Sequence, residues 1–337
     1  MRIARPFIDE REFMTRSPRT SRRGFIGASM ALAWSAAAPG VRAQGARIAR
    51  AHTLRIGYQK GPLSLLKARG TLEKRLGASG IRVEWTEFPS GPPQLEALNV
   101  GAIDFGDVGE APPIFAQAAG APFVYYGQTA KRPASEALVV PNDSPIRSVA
   151  SLKGKRIALV KGSSAHFLIV KLLAAAGIDY RDVTPVWLPP SDARAAFERR
   201  SVDAWAIWDP FLAVAQKTVN ARIVADGTGV VSNRAFYFTS RAYAERNGDV
   251  LRAVLAELSA LDKWTESNRA QAAREYARLW NLPREVVDVA LGRLRYGIAP
   301  ISRDALADQQ RIADTFLELK LLPKRVEIAD AVPRGLA

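Results

Sequence analysis

Short apolar segments alternate with segments of helical periodicity from Leu54 onward, and this alternation restricts the fold more than any other feature. A first set has predicted strands at 54–58, 81–88, 103–105 and 122–126, with predicted helices at 63–76, 93–100 and 111–119. A second set has predicted strands at 156–160, 185–188, 204–207 and 222–225, with predicted helices at 165–176, 192–199 and from 210. Strands that alternate with helices predict βαβ units and mostly parallel sheets. The predicted fold class is therefore α/β.

Two extended segments connect these sets. We interpret 137–140, which precedes Pro-Asn-Asp-Ser-Pro at 141–145, as one crossover and 236–240 as the return crossover. From 243 to about 322 the periodicity is almost entirely helical, with Trp264, Tyr276 and Trp280 as predicted packing aromatics. The prediction is a bilobed chain with a cleft between its lobes. The first lobe comprises 44–140 together with 235–337, and the second comprises 141–234.

The first 43 residues have the pattern of an export signal. Arg-Arg-Gly-Phe-Ile at 22–26 precedes a short apolar stretch, and Val41 and Ala43 place small or apolar side chains just before Gln44. This pattern predicts a twin-arginine signal peptide that is cleaved between Ala43 and Gln44. No cysteine follows the apolar stretch, which excludes a lipoprotein anchor. No later segment reaches the roughly 18 apolar residues of a membrane span. We therefore expect a soluble protein in the periplasm.

Composition excludes several kinds of site. The chain has no cysteine and only two histidines, which argues against disulfides, thiolate or His-rich metal sites and a cysteine nucleophile. Eight arginines against three carboxylates in the first 43 residues supply five of the fifteen net positive charges. The remaining charge is dispersed and accompanies no nucleic-acid-binding motif, so we expect no nucleic-acid partner.

The loops that follow the predicted strands hold the informative residues. Ligands of α/β sheets bind outside the carboxyl ends of strands, beside helix N-termini. The loops read Gln-Lys-Gly-Pro at 59–62, Pro-Ser-Gly-Pro-Pro at 89–93, Gly-Asp-Val-Gly-Glu at 106–110, Lys-Gly-Ser-Ser-Ala-His at 161–166 and Trp-Asp-Pro-Phe at 208–211. Glycine allows close backbone approach, and serine caps a helix whose free N–H groups attract an anion. Taken alone, Gly-Ser-Ser predicts only a helix cap. It also lacks the Lys-Ser/Thr that would complete a P-loop.

Residues 54–324 resemble the aliphatic sulfonate-binding proteins of ABC importers. The matching segments are Leu-Arg-Ile-Gly-Tyr-Gln-Lys-Gly at 54–61, Phe-Pro-Ser-Gly-Pro at 88–92, Leu-Glu-Ala-Leu-Asn-Val-Gly at 95–101, Pro-Pro-Ile-Phe-Ala-Gln-Ala-Ala-Gly at 112–120, Lys-Gly-Ser-Ser-Ala-His at 161–166, Asp-Ala-Arg-Ala-Ala-Phe at 192–197 and Val-Asp-Ala-Trp-Ala-Ile-Trp-Asp-Pro at 202–210. The resemblance implies a type II periplasmic-binding-protein fold that closes on its ligand. It also implies a membrane permease and an ATPase as partners of a monomeric binding protein without a cofactor.

The resemblance also implies a set of ligand-binding residues. Roles in binding are expected for Gln59, Gly91, Gly109, Ser163, Ser164 and His166, with Trp208, Asp209 and Phe236 shaping the side that accepts the ligand tail. The loop at 106–110 departs from the family pattern because it carries Asp107 and Glu110, and carboxylates near an anion repel it unless they are paired. Either Asp107 points out of the cleft, or Glu110 pairs with Lys60 or with an amine on the ligand. Glu110 therefore joins the predicted ligand-binding residues.

Other functions stay open at this point. Taurine, a sulfate ester, nitrate or a pyrimidine thiamine precursor are alternative ligands for the same fold, and the two carboxylates keep the pyrimidine open. An enzyme of that fold, one that cleaves a sulfinate or forms a pyrimidine, would need a reactive cysteine or a His-rich metal site. Ser163 and Ser164 near His166 do not form an aligned triad, and no G-x-S-x-G elbow is present. We expect a binding protein and not an enzyme.

Overall fold

A computed structural model describes residues 52–333. The predicted leader at 1–43 lies outside the described residues. The strands are β1 (Thr53–Tyr58), β2 (Arg82–Glu87), β3 (Phe105–Val108), β4 (Phe123–Gln128), β5 (Glu136–Pro141), β6 (Arg156–Leu159), β7 (Thr184–Trp187), β8 (Ala204–Trp208), β9 (Ala221–Asp226), β10 (Phe236–Ser240) and β11 (Ala299–Pro300). The helices are α1 (Pro62–Arg69), α2 (Thr71–Gly77), α3 (Gly91–Asn99), α4 (Pro112–Ala118), α5 (Ser164–Ala175), α6 (Pro190–Glu198), α7 (Phe211–Thr218), α8 (Arg241–Arg246), α9 (Gly248–Ser267), α10 (Arg269–Trp280), α11 (Arg284–Arg293) and α12 (Arg303–Glu318).

The strands form two mixed sheets. The first sheet has six strands in the order β11-β4-β10-β3-β1-β2, and the second has five in the order β7-β6-β8-β5-β9. β1 is parallel to β2 and β3, whereas β10 is antiparallel to β3 and β4. β6 is parallel to β7 and β8, whereas β5 is antiparallel to β8 and β9. The predicted α/β class with two mixed sheets is confirmed. We call the six-stranded sheet with its helices the first lobe, and the five-stranded sheet with its helices the second lobe.

Helices cover both faces of each sheet. In the first lobe, α1, α2, α9 and α10 share one apolar core with β1, and α3, α4 and α12 share another with β3 and β4. In the second lobe, α5 packs on one face and α6 and α7 pack on the other. Helix α11 contacts both lobes, because it packs on α10 and also sets Val286 and Ala290 against α7. Within residues 52–333, no helix combines the length and apolar character needed to cross a bilayer.

Two predicted elements have different limits in the structure. The helix predicted at 63–76 is split into α1 and α2 at Gly70, whose left-handed backbone, with φ of 63°, ends α1 by donating to Leu66 and Lys67 carbonyls. Strand β3 begins at Phe105 and not at 103, because the preceding Asp104 uses its carboxylate to accept from the Arg55 N–H at 2.9 Å.

The segments interpreted as crossovers are themselves sheet strands. Residues 137–140 lie within β5, all of whose residues are buried, and 236–240 form β10. The chain passes between the sheets in the preceding segments, 129–135 and 227–235, which we call the crossing segments. Tyr276 and Trp280 are buried with ring centroids 4.5 Å apart, which confirms the packing role predicted for them.

Candidate functional site

A cavity of about 130 Å³ lies between the two lobes, where the ends of strands from both sheets face each other. The first lobe contributes the loops after β1, β2 and β3, and the second contributes the loops after β6 and β8. The crossing segments and the residue that follows α11 complete the wall. The topology thus brings together the five loops to which the sequence assigned the site.

Most of the predicted ligand-binding residues line this cavity. They are Gln59, Gly91, Gly109, Ser163, Ser164, Trp208 and Asp209. The other predicted residues are buried but do not line it. They are Glu110, His166 and Phe236. Phe236 packs in the first-lobe core, where its ring meets Tyr125 edge-on at 5.3 Å between centroids.

Proline begins three first-lobe helices at the cavity. Pro62 starts α1, Pro92 follows the first residue of α3, and Pro112 starts α4. Proline suits these positions because its φ matches the helix and its missing N–H would have no intrahelical acceptor there. These helix starts therefore define the shape of the cavity wall but offer few N–H donors.

The second lobe has the opposite arrangement at the start of α5. Ser163 is the N-cap: its Oγ donates to the Val160 carbonyl at 2.8 Å and accepts from the His166 N–H at 3.4 Å. Ser164 follows as the first helical residue and also lines the cavity. Because neither residue is proline, the first turn keeps its N–H groups, and these favour an anion together with the helix dipole.

His166 stabilises the start of α5 from the side that faces away from the cavity. Its Nδ1 accepts from the Gly162 N–H at 3.2 Å, and its Nε2 lies 2.8 Å from the Tyr180 hydroxyl. Phe115 and Phe316 of the first lobe pack against its ring. Burial lowers the pKa of His166 to about 4, so the ring is neutral near pH 7. In this position the imidazole orders the loop and does not reach the cavity.

Gln59 and Asp209 are both fixed by neighbours at the cavity wall. The Gln59 Nε2 donates to the Asp107 carbonyl at 2.9 Å and to Gln94 Oε1 at 3.1 Å. The Asp209 carboxylate accepts from Arg293 Nη1 at 2.9 Å and from the Ala213 N–H at 3.0 Å. Burial raises the pKa of Asp209 to about 6, and the Arg293 charge opposes that rise. The ion pair between Asp209 and Arg293 therefore links the cavity wall to the last residue of α11.

The carboxylates of the loop at 106–110 differ from both expected arrangements. Asp107 lines the cavity and does not point out of the cleft. Glu110 faces a separate cavity behind the crossing segments, and Lys60 pairs instead with Glu87 at 3.9 Å. The Glu110 carboxylate is directed away from Asp107 because it accepts hydrogen bonds from the backbone of Asn233 and Arg234 in the second crossing segment. Burial raises the pKa of Asp107 to about 7 and that of Glu110 to about 8.

Arg132 is a site residue that the sequence analysis missed. It lies in the first crossing segment and lines the cavity, and its Nε is buried without a hydrogen-bond partner in the described part of the chain. No carboxylate among residues 52–333 forms an ion pair with it, although its charge lowers the pKa of Asp107, Glu110, Glu136 and Asp209. Ser135 and Asn233, also from the crossing segments, line the cavity beside it. The sequence feature that could have identified Arg132 is its position as a basic residue in the segment that connects the two predicted α/β sets.

A substitution at Gly109 tests whether the two lobes must approach each other closely at this cavity for the ligand to bind. A methyl group at position 109 would overlap Ser164 Oγ of the facing lobe. We therefore expect Gly109→Ala to weaken ligand binding at least tenfold, while the unfolding temperature of the ligand-free protein stays within about 3 °C of the original, as for a change of about 1 kcal/mol. Titration calorimetry and thermal unfolding measure the two quantities. Gly77→Ala, where a methyl group meets nothing within 4 Å, is the matched control. Unchanged affinity in Gly109→Ala would contradict the close approach.

The fold and the cavity define a two-lobed solute-binding protein. A family model described as NMT1/THI5 like matches residues 77–263. The chain is 45% identical to an aliphatic sulfonates-binding protein of Escherichia coli, over 83% of this chain and 88% of that one. It is 33% identical to a Bacillus subtilis protein of the same description, over 83% and 85% of the two chains. The chain therefore belongs to the aliphatic sulfonate-binding proteins of the NMT1/THI5-like family.

Two solved structures give the same result. The alkanesulfonate-binding protein SsuA from Xanthomonas axonopodis pv. citri, bound to MOPS, is 44% identical and superposes with a TM-score of 0.81, covering 84% of this chain and 99% of that one. The periplasmic aliphatic sulphonate binding protein SsuA from Escherichia coli superposes with a TM-score of 0.75 at 43% identity, covering 85% and 94% of the two chains.

Proposed function

We propose that this protein is the solute-binding component of an ABC importer and captures aliphatic sulfonates. The observation that carries the proposal is the cavity between the lobes, which is lined both by the unpaired Arg132 guanidinium and by the start of α5. A sulfonate carries one negative charge over three oxygens and stays ionised at ordinary pH. It therefore suits a guanidinium together with neutral N–H and hydroxyl donors. The similarity to SsuA proteins supports the same ligand class.

The ligand tail is assigned to the apolar part of the same cavity. Trp208 and Phe211 line it on the side of the second lobe, Phe88 lines it on the side of the first, and Leu294, which follows α11 and packs against the first-lobe core, completes it. An alkyl chain placed there would remove apolar surface from water, which contributes about 25 cal/mol per Å². Nitrate and bicarbonate have no tail to bury and would gain nothing from these side chains.

Binding is proposed to work by population shift. Contacts from both lobes stabilise the conformation in which the lobes meet around the ligand, and the importer recognises that conformation. The predicted partners are a membrane permease and its ATPase. Two observations support a periplasmic location: the twin-arginine pattern at 22–26 and the periplasmic E. coli relative. The proposal includes no enzymatic step. Residues 52–333 contain no group of His, Asp and Glu side chains arranged to hold a metal ion.

The proposal is tested by a thermal-shift screen of the cleaved protein. Alkanesulfonates, MOPS, 2-aminoethanesulfonate, sulfate esters, nitrate and aminopyrimidines form the panel. A ligand at about a hundred times its Kd adds about 2.7 kcal/mol, which corresponds to several degrees for a chain of this size. We expect shifts with sulfonates only. A shift with a pyrimidine and with no sulfonate would replace the ligand assignment.

The same screen locates the anion-binding end of the cavity. Replacing Ser163 and Ser164 together by alanine is expected to remove the sulfonate shift, because the helix cap and the adjacent hydroxyl are lost at the start of α5. The ligand-free variant should lose about 1 kcal/mol, the usual contribution of an N-cap. Ser302→Ala, which removes the N-cap of α12 away from the cavity, controls for that loss. If the double variant still binds sulfonates, the anion site lies in another loop.

A further inference from the structure

Asp107 is a buried carboxylate that the proposed sulfonate site leaves unexplained. Its side chain lines the cavity and is 8% exposed, and its Oδ1 is buried without a hydrogen-bond partner in the part of the chain that the structure describes. A buried polar atom without a partner costs free energy, and a carboxylate beside a bound anion adds repulsion. A neutral side chain at this position would favour a bound anion more than a carboxylate does, so anion binding alone does not explain the presence of Asp107.

No cation of the described chain pairs with Asp107. Arg132, on the first crossing segment, acts on it through its charge but forms no ion pair with it. Lys60, on the adjacent loop, is paired with Glu87, and Arg293 is paired with Asp209. On the neighbouring strand β10, Tyr237 is the residue paired with Asp107, and its buried phenol carries no charge near neutral pH. The loop after β1 faces Asp107 with Gly61, which has no side chain to pair with it: a methyl group added at Gly61 would lie 3.7 Å from Asp107 Oδ2.

The separation between Asp107 and the start of α5, where the sulfonate is proposed to bind, limits the length of the ligand. Gly109, two residues further along the chain, abuts Ser164 at the start of α5. Two residues of extended backbone span about 6–7 Å. The Asp107 carboxylate and the start of α5 therefore lie about the length of a short ligand apart on the wall of a cavity of about 130 Å³. A ligand that meets both carries an anion and a hydrogen-bond donor separated by two or three carbon atoms.

We propose that the site recognises a zwitterion, a short sulfonate whose protonated amine binds the free oxygen of Asp107. This inference rests on the proposed function, because it assumes that a sulfonate binds at the start of α5. Asp107 is then a specificity-determining residue: it strengthens the binding of sulfonates that carry an amine and weakens the binding of alkanesulfonates without one. The amine supplies the hydrogen bonds that Oδ1 lacks, and its positive charge replaces the repulsion by attraction.

A matched pair of ligands tests the inference by titration calorimetry on the mature protein. 2-Aminoethanesulfonate and propane-1-sulfonate have the same shape, with an ammonium group in one and a methyl group in the other. We expect the original protein to bind the aminosulfonate at least tenfold more tightly. Asp107→Asn should abolish that preference and bind propane-1-sulfonate as tightly as the original protein or more tightly. Glu96→Gln, the same charge change at an exposed carboxylate that does not line the cavity, should leave the preference unchanged.

The pH dependence separates recognition of the amine from a structural role of Asp107. The pKa of Asp107 is raised to about 7, so its ionised fraction increases about tenfold from one pH unit below to one unit above that value. Affinity for the aminosulfonate should rise over this range, whereas affinity for propane-1-sulfonate should fall, and Asp107→Asn should flatten both profiles. Equal affinities of the original protein for the two ligands at both pH values would overturn the inference and leave the proposed function intact. Absence of binding by every sulfonate would overturn the proposed function itself.

Discussion

Replacing Arg132 by glutamine is expected to weaken sulfonate binding about a hundredfold, which corresponds to about 2.8 kcal/mol. Arg132 is the guanidinium that lines the cavity without an ion pair among residues 52–333, so a bound anion would lose its main counter-charge. A charge-assisted hydrogen bond contributes about 1.5–3 kcal/mol, and a guanidinium can form two of them with one sulfonate. Titration calorimetry with an alkanesulfonate measures the loss.

Two further variants define the role of Arg132. Arg132→Lys keeps the charge but removes the planar fork, so its affinity should fall between those of Arg132→Gln and the original protein. Arg234→Gln is the matched control, because Arg234 lies in the other crossing segment, pairs with Asp304 at 3.1 Å and does not line the cavity. It should bind as the original protein does. Undiminished affinity in Arg132→Gln would show that the anion binds elsewhere in the cleft.

The ligand-free protein is expected to lose stability as the pH rises from about 5 to about 8. Glu110 and Glu136 are both buried, and burial raises the pKa of Glu110 to about 8 and that of Glu136 well above its usual value. Repulsion from Glu110 adds to the rise in the pKa of Glu136. The folded state therefore binds more protons than the unfolded state above about pH 4.5, and the free energy of unfolding falls with pH throughout that window.

Glu136→Gln should remove part of this loss. Both carboxylate oxygens of Glu136 are buried without partners in the described structure, so a neutral amide should stabilise the protein at neutral pH by roughly 2–4 kcal/mol. Thermal unfolding from about pH 5 to about pH 8 should show a higher and flatter profile for the variant. Glu96→Gln, at an exposed carboxylate, controls for net charge. A profile of the original protein that rises toward pH 8 would contradict the prediction.

The sequence predicts the fold well wherever local periodicity and burial agree. Strands such as β1 and β6 are predicted to within a residue or two, because their apolar runs are bounded by turn residues. The misplacements arise from contacts between distant residues. β3 starts late because the Asp104 carboxylate binds Arg55, and β5 appeared to be a crossover because a fully apolar run does not reveal the sheet to which it belongs.

The candidate site is predictable to the extent that topology fixes it. The carboxyl ends of parallel strands meet at one edge of each sheet, so the loops after β1, β2, β3, β6 and β8 were identified from their order alone. Arg132, Ser135 and Asn233 were missed because they lie in the crossing segments and follow no predicted strand that ends at the cavity. His166 was included because of its loop, but Phe115 and Phe316, far away in the chain, enclose it.

The prolines at the starts of α1, α3 and α4 have a kinetic consequence. Because Pro62, Pro92 and Pro112 withhold N–H donors, the first lobe by itself presents an arriving anion with a preformed surface but little attraction. The start of α5 on the second lobe keeps its donors, so we expect the encounter complex to form there. On this expectation the second lobe sets the association rate, and the residence time of the ligand depends on how often the first lobe moves away.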